Sequence, residues 1–288
     1  MAIDRSAAMR RFLADQREPV TPRDAATVLL LRDAGTDGGG IEVFMLRRHR
    51  GMAFAPGMYV YPGGSVEPHD RLPVHRFGGP TRHEWARALD TSADLAHSLV
   101  CAAIRETFEE CGVLLAAPDP ESGCPLPTGT DWDQQRLALA QGRTTLGALL
   151  EEHGLVARTD LLRPLGRWIT PIFSTRRFDT RFFIAPLPDG AACRDFGEES
   201  DAVEWVPVRE TLDRYERGDI PMMLATADAL NTLAPHDSVA AALAAPPPSN
   251  IPLIVRAIRD GADFRFVVDG PDDAVPVDDF LSIRRRAC

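Results

Sequence analysis

Six consecutive residues, Arg105-Glu106-Thr107-Phe108-Glu109-Glu110, hold the densest chemistry in the chain. Glu106, Glu109 and Glu110 stand at i, i+3 and i+4, so on a helix their carboxylates span an arc of about 100°. Like charges at these spacings repel by roughly a few tenths of a kcal/mol per pair in water, and by more where the face is partly enclosed. A divalent cation removes that cost, and hard oxygen donors suit Mg²⁺ or Mn²⁺. A solvated acidic face, common on any helix, is the plain alternative. Upstream, Gly63-Gly64-Ser65-Val66-Glu67-Pro68-His69-Asp70 supplies a tight glycine turn and two further carboxylates. Glycine is needed where backbone must come close to a ligand or another segment; an ordinary surface turn is the alternative there.

The acids need a helix to carry them. Ile104, Phe108, Cys111 and Leu115 repeat at four-three-four spacing and predict a helix from about Asp94 to Leu115, with Gly112 as its stop. On this reading the helix packs by one face and presents its carboxylates on the other. Ala25 to Arg32 and Ile41 to Arg48 read as two strands joined by the turn Gly35 to Gly40. A short strand between Pro56 and Gly64 leads into the glycine loop. Residues 71 to about 92 read as an irregular excursion in which His69, His75 and His83 are solvated. A second excursion, Pro118 to Pro164, contains helices near Trp132 to Ala140 and Leu146 to His153. Strand patterns return at Leu165 to Phe173, Phe178 to Ala185 and Ala202 to Val206, with Trp168 and Trp205 as core residues. Pro207 opens an amphipathic helix, and Pro221 to Ala245 reads as helix broken at Pro235. After the stiff Pro246-Pro247-Pro248, Pro252 to Ile258 and Phe264 to Val268 predict a terminal hairpin. Antiparallel hairpins among irregular helices point to a mixed sheet covered by helices.

Composition narrows the function classes. The chain has 288 residues, 44% hydrophobic and 26% charged, the profile of a soluble globular protein. No run approaches the eighteen or so apolar residues of a membrane helix, and the N-terminus lacks a secretory pattern, so a cytoplasmic protein with no membrane partner is expected. A net charge of −10 argues against a nucleic-acid partner. All 32 basic residues are Arg, so any basic phosphate contact must use a guanidinium fork. The five cysteines, Cys101, Cys111, Cys124, Cys193 and Cys288, form no CxxC pair and imply neither a disulfide framework nor a zinc knuckle. Cys111, among apolar helix positions, reads as a buried thiol.

Taken together, the two acidic segments resemble the Nudix box. Gly64 through Asp70 matches its first half, and Arg105-Glu106-Thr107-Phe108-Glu109-Glu110-Cys111-Gly112-Val113 matches the second at every charged and glycine position. Three departures stand out. Asp70 replaces the usual Glu, Thr107 replaces an aliphatic residue, and 34 residues separate Asp70 from Arg105 where the family has far fewer. An interrupted box of this kind resembles the coenzyme A diphosphatase branch typified by the mammalian peroxisomal RP2-type proteins. The likeness continues in Met52-Ala53-Phe54-Ala55-Pro56-Gly57, in Trp168-Ile169-Thr170-Pro171 and in Arg176-Arg177-Phe178-Asp179-Thr180-Arg181-Phe182-Phe183, covering about residues 24 to 206. The ending Arg286-Ala287-Cys288 does not match a Ser-Lys-Leu-type peroxisomal address, so that location is not expected to carry over.

The resemblance implies an α/β (α+β) fold, a Nudix-type α/β/α sandwich around a mixed sheet. It divides the chain into an N-terminal segment (1–23), a hydrolase domain (24–245, with insertions about 71–93 and 118–164), and a Pro-rich linker with C-terminal hairpin (246–288) docked on the domain. It also implies that Glu106, Glu109 and Glu110 hold Mg²⁺ or Mn²⁺ against a substrate diphosphate, with Arg105 orienting Glu106 through a salt bridge. Glu198 or Glu199 is the candidate further acid, metal-binding Glu199 above all. Gly63 and Gly64 would meet the substrate, and Arg47, Arg48 and Arg176 are candidate phosphate clamps, with Arg50 and Arg177 beside them. The expected partner is a small nucleotide diphosphate, coenzyme A or acyl-coenzyme A first, with ADP-ribose, NADH and nucleotide sugars as alternatives. A non-catalytic nucleotide-sensing module is the rival from another class, although such a module would be expected to have lost one of the carboxylates. The Ala-rich helices and terminal hairpin leave a homodimer open.

Overall fold

A computed structural model describes residues 4–35, 39–52, 55–118, 131–194, 196, 200–270 and 274–287. Its spine is β1 (Arg23–Asp33), whose side chains alternate between two cores. Ala26, Val28 and Leu30 enter one, Leu29 and Leu31 the other. A strand buried on both faces reads as an unbroken apolar run, which is what Val28 to Leu31 is.

Around β1 a mixed sheet assembles. β2 (Ile41–Arg48) pairs antiparallel with β1, as the hairpin expectation required, and β3 (Tyr59–Val60) pairs with β2. β4 (Gly63–Ser65) pairs antiparallel with the start of β1. Three more strands complete the domain sheet: β8 (Arg163–Ile169), β9 (Phe178–Pro186) and β10 (Ser200–Pro207). β9 runs parallel to β1 and antiparallel to β8, while β10 closes the far edge against β2. The terminal hairpin forms as expected, as β11 (Leu253–Asp260) and β12 (Asp263–Asp269). It extends the same sheet, β11 lying parallel to β8 and β13 (Val275–Pro276) beyond β12.

Helices cover both faces, giving the expected α/β/α sandwich. One face takes α3 (Ala93–Cys111) with α2 (Arg82–Leu89), α4 (Trp132–Ala140) and α5 (Leu146–Glu152) around it. The other takes α6 (Val208–Glu216), α7 (Leu224–Leu233), α8 (Val239–Ala244) and α9 (Phe280–Ala287). α1 (Arg5–Ala14) inserts Met9 and Phe12 against Phe173. α1 and α9 went unread in the sequence. The apolar faces of α7, α8 and the hairpin are absorbed by the chain's own core.

Three expectations are corrected. The acid-bearing helix ends at Cys111, because Gly112 adopts φ +74° and its N–H bonds back to Phe108; Leu115 leaves the helix yet stays buried. That helix also does not pack by one face only: Arg105, Glu106 and Thr107 are as buried as Ile104 and Phe108. The third concerns the excursion at 71–93, which is ordered. α2 begins in a reciprocal Thr81–Glu84 capping box. Trp85 is buried and donates to Thr159 Oγ1 at 3.3 Å. The two insertions are also joined, since β5 (Phe77–Gly78) of the first pairs parallel with β7 (Leu155–Arg158) of the second. β6 (Ala116–Pro118) completes this small sheet on the other side of β7.

Because Trp85 packs into the main core, Trp85→Ala is expected to lower the unfolding free energy by about 3–5 kcal/mol in a urea titration. A change below about 0.5 kcal/mol would mean that the insertion is a loose appendage.

Candidate functional site

The glycine turn lies directly on α3 despite the long insertion between them. β4 holds Gly63 opposite Thr27 and Gly64 opposite Ala26. A Cβ on Gly63 would meet Thr27 Oγ1 at 2.1 Å and the Ala26 carbonyl oxygen at 2.6 Å. A Cβ on Gly64 would meet Glu106 Oε1 at 2.2 Å. Neither position has space for a side chain, and close approach is the reason for both glycines. The Gly63 N–H donates to Glu110 Oε2 at 2.9 Å. Glu106 and Glu110 therefore both reach the turn, and Glu109 joins Glu106 through a shared donor, Nη1 of Arg105.

That donor belongs to the best-connected side chain of the site. Arg105 is 2% exposed. Its Nε and Nη2 grip the two Asp70 oxygens at 2.7 and 3.0 Å, and Nη2 also reaches the Ser65 carbonyl at 3.0 Å. Nη1 donates to Glu106 Oε1 at 2.8 Å and Glu109 Oε2 at 3.2 Å. The expected Arg105–Glu106 salt bridge is thus one of several, and all five guanidinium N–H groups have nearby acceptors. Asp70, whose role the 34-residue gap obscured, is 1% exposed and also accepts from the Glu67 N–H at 2.7 Å. It is a side-on anchor for Arg105, set by the fold and not by its distance along the chain. Thr107, at the usual aliphatic position, is buried and donates to the Ala103 carbonyl at 2.7 Å. Its hydroxyl is satisfied there by the carbonyl one turn back in the same helix.

The electrostatics follow from enclosure. Burial raises the Glu106 carboxyl to about 7; Arg105 opposes this and the Glu109 and Asp70 carboxylates reinforce it. Burial raises Glu109 as well. Burial works against the charge on Arg105, but its bond to Asp70 and the fields of Glu106 and Glu109 outweigh that and hold it protonated. One cation thus serves several anions, and the cluster stays short of positive charge.

A hard divalent cation suits this donor set in kind: oxygen ligands only, at least two of them raised by burial, and converging on a glycine turn. Among the described residues, no three groups stand ready to hold an ion as they are. Arg105 and the Gly63 N–H each engage one oxygen of the carboxylate they bind, Oε1 of Glu106 and Oε2 of Glu109 and Glu110.

The acids lie on the wall of a cavity of about 1340 Å³ that also takes in Gly63, Gly64, Glu67, Arg48 and Arg176. Arg47 is not on this wall; its neighbours in β2, Leu46 and Arg48, are, as strand alternation dictates. Arg177 is buried and donates to the Thr170 and Val20 carbonyls at 2.9 and 2.8 Å, so it braces the backbone. Trp168 is buried as expected, and Trp205 packs against Phe44 with the Arg32 guanidinium over its ring. Glu198 and Glu199 lie outside the described residues, as do Cys124 and Cys288. Arg136 and Phe196 went unread. The Arg136 guanidinium lies 3.6 Å from the centre of the Phe196 ring, and its Nη1 donates to the Glu109 carbonyl at 2.8 Å. Both border the cavity beside the acids. They come from the second excursion and from the connection before β10, and no spacing in the sequence links them to the helix.

Two substitutions test this architecture. Gly64→Ala is expected to push Glu106 off its position and reduce turnover by about 100-fold, with thermal stability little altered. Asp70→Ala leaves Arg105 without its bidentate partner and is expected to cost about 3–5 kcal/mol in chemical denaturation.

Comparison with known proteins gives this geometry its context. The model of the NUDT19 Nudix domain family matches residues 81–226, half of the chain and the whole of α3. Two curated relatives are named acyl-coenzyme A diphosphatase NUDT19. The Xenopus laevis protein is 29% identical over 211 residues, covering 61% of this chain and 55% of its own length. The Gallus gallus protein is 28% identical over 245 residues, covering 69% and 64%. The matches therefore span less than two thirds of those relatives. A solved NUDIX hydrolase from Alicyclobacillus acidocaldarius superposes with a TM-score of 0.65 at 30% identity, over 80% of this chain and 99% of that one. By its fold, its carboxylate helix and these matches, the chain belongs to the Nudix hydrolases, in the family of the NUDT19 Nudix domain.

Proposed function

We propose that this protein hydrolyses the diphosphate bond of coenzyme A or an acyl-coenzyme A, using Mg²⁺ or Mn²⁺. The observation that carries the reading is the approach of Glu106 and Glu110 to the Gly63–Gly64 turn, with Glu109 held beside Glu106 by Arg105, at the wall of a large cavity. A diphosphate is itself anionic and would be repelled by this surface unless a cation offset the carboxylate charge. When bound, the cation neutralises phosphate oxygens and lowers the pKa of a water molecule. The chain's own part is to hold. Arg105, anchored by Asp70, keeps Glu106 and Glu109 side by side. The bare backbone at Gly63 and Gly64 lets phosphate oxygens come close. A carboxylate of this set takes the proton from the attacking water. Arg48 and Arg176, both on the cavity wall, are placed to clamp further phosphate oxygens.

Coenzyme A is favoured by the names of the two relatives, both acyl-coenzyme A diphosphatases, and by a cavity larger than the usual ligand site. A cytoplasmic setting belongs to the same proposal. No described helix is long and apolar enough to cross a membrane, and Cys101, Cys111 and Cys193 are free thiols. The test is a panel of coenzyme A, acyl-coenzyme A, ADP-ribose, NADH and a nucleotide sugar, each with Mg²⁺ or Mn²⁺, with products identified by mass spectrometry. The expected products from coenzyme A are 4′-phosphopantetheine and 3′,5′-ADP. Formation of AMP and ribose 5-phosphate as the fastest reaction would transfer the assignment to ADP-ribose. Glu109→Gln is expected to lose several orders of magnitude in rate, and chelation with EDTA to stop turnover altogether.

A further inference from the structure

We infer that the cavity continues into an apolar arm that takes the fatty acyl chain of a coenzyme A thioester, and that the C-terminal segment forms part of its wall. The inference rests on the coenzyme A reading above. Beyond the carboxylates the cavity reaches the sheet face opposite α3. There its apolar walls are Trp168 and Phe182 from the sheet, Met222 and Leu224 at the start of α7, and Val277 and Leu281 before and within α9, with Thr226, Asp278 and Ser282 also on the lining. All six belong to the apolar core on that face. Core side chains normally close on one another, because lining an empty space forfeits dispersion contacts. Here they border open volume continuous with the acidic site.

The chemistry of the walls selects the occupant. ADP-ribose, NADH and nucleotide sugars carry hydroxyls at both ends of the diphosphate, and these would lose their water wherever they met the six apolar side chains. Coenzyme A carries a long flexible pantetheine arm on one side of its diphosphate. A thioester at its end leads into an alkyl chain, for which each buried methylene adds about fourfold to binding.

The arm is held in shape by a buried carboxylate. Asp228 of α7, 4% exposed, accepts from Trp168 Nε1 at 3.0 Å and pairs with Arg284 Nε of α9 at 3.2 Å. Phe280 packs edge-on to Trp168, with ring centres 5.7 Å apart, and Asn231 Nδ2 donates to the Leu281 carbonyl at 3.4 Å. Asp228 thus fastens a sheet wall to a helix wall. Val277 and Leu281 lie beyond residues 81–226 that the family model matches.

The test compares wild type with Leu281→Trp, which fills the arm, and with Val277→Phe, a milder filling for use should the first fail to fold. Two readouts are taken: the ratio of kcat/KM for dodecanoyl-coenzyme A to that for coenzyme A, and binding of a dansylated undecanoic acid displaced by laurate. Wild type is expected to prefer the dodecanoyl thioester by about tenfold or more and to bind the probe; the variants are expected to lose about tenfold of that preference and most of the probe binding. Wild type that cleaves both compounds at equal efficiency, or variants whose preference stays within about twofold, would overturn the arm while leaving the diphosphatase reading intact. Conversely, probe binding lost in the variants without any cleavage of coenzyme A compounds would uphold the arm and overturn the reading of the reaction.

Discussion

A single buried guanidinium organises the reactive end of this molecule. Arg105 sits where the glycine turn, Asp70 at the threshold of the first excursion and the acid-bearing helix meet, and it bonds to all three. A buried cation is tolerable only when every N–H finds an acceptor. Asp70, the Ser65 carbonyl, Glu106 and Glu109 fill that requirement jointly, so the position of each depends on the others. The carboxylates consequently remain clustered at a distance their mutual repulsion would otherwise forbid. They also remain enclosed, since the turn that covers Glu106 is drawn onto the helix by the same side chain.

The chemistry of the site was legible wherever it depended on short-range spacing. Glu106, Glu109 and Glu110 fall on one helical arc by arithmetic alone, and the glycine pair announces a close approach. Asp70 was harder to place, because its partner lies 35 positions away along the chain and only the fold makes them neighbours. Arg136 and Phe196 were invisible for the same reason in stronger form, since each comes from a different connection and they meet only in three dimensions.

The fold was readable at the level of strands and of the sandwich, and less so where local and tertiary signals differ. The helix at 82–89 carries a sequence signature, Thr81 followed three residues later by Glu84, that could have revealed it. The high content of proline, glycine and histidine around it hid that signal. The acid-bearing helix was read as half-exposed because its sequence has an apolar stripe. The glycine turn and Asp70 then cover its polar side, so Arg105 and Glu106 are buried for reasons no periodicity contains. The N-terminal helix has weak periodicity of its own and is fixed by packing Met9 and Phe12 on Phe173.

The pairing of Phe77–Gly78 with Ala157–Arg158 means that the two excursions behave as one graft and not as two independent ornaments. Trimming the first to restore an uninterrupted box would strip a strand from the edge of the small sheet and remove the indole that rests on Thr159. Trimming the second would leave Phe77 and Trp85 without their cover. A minimal version of this hydrolase would therefore have to discard both together, and with them Arg136, which reaches the backbone of the reactive helix from the second excursion.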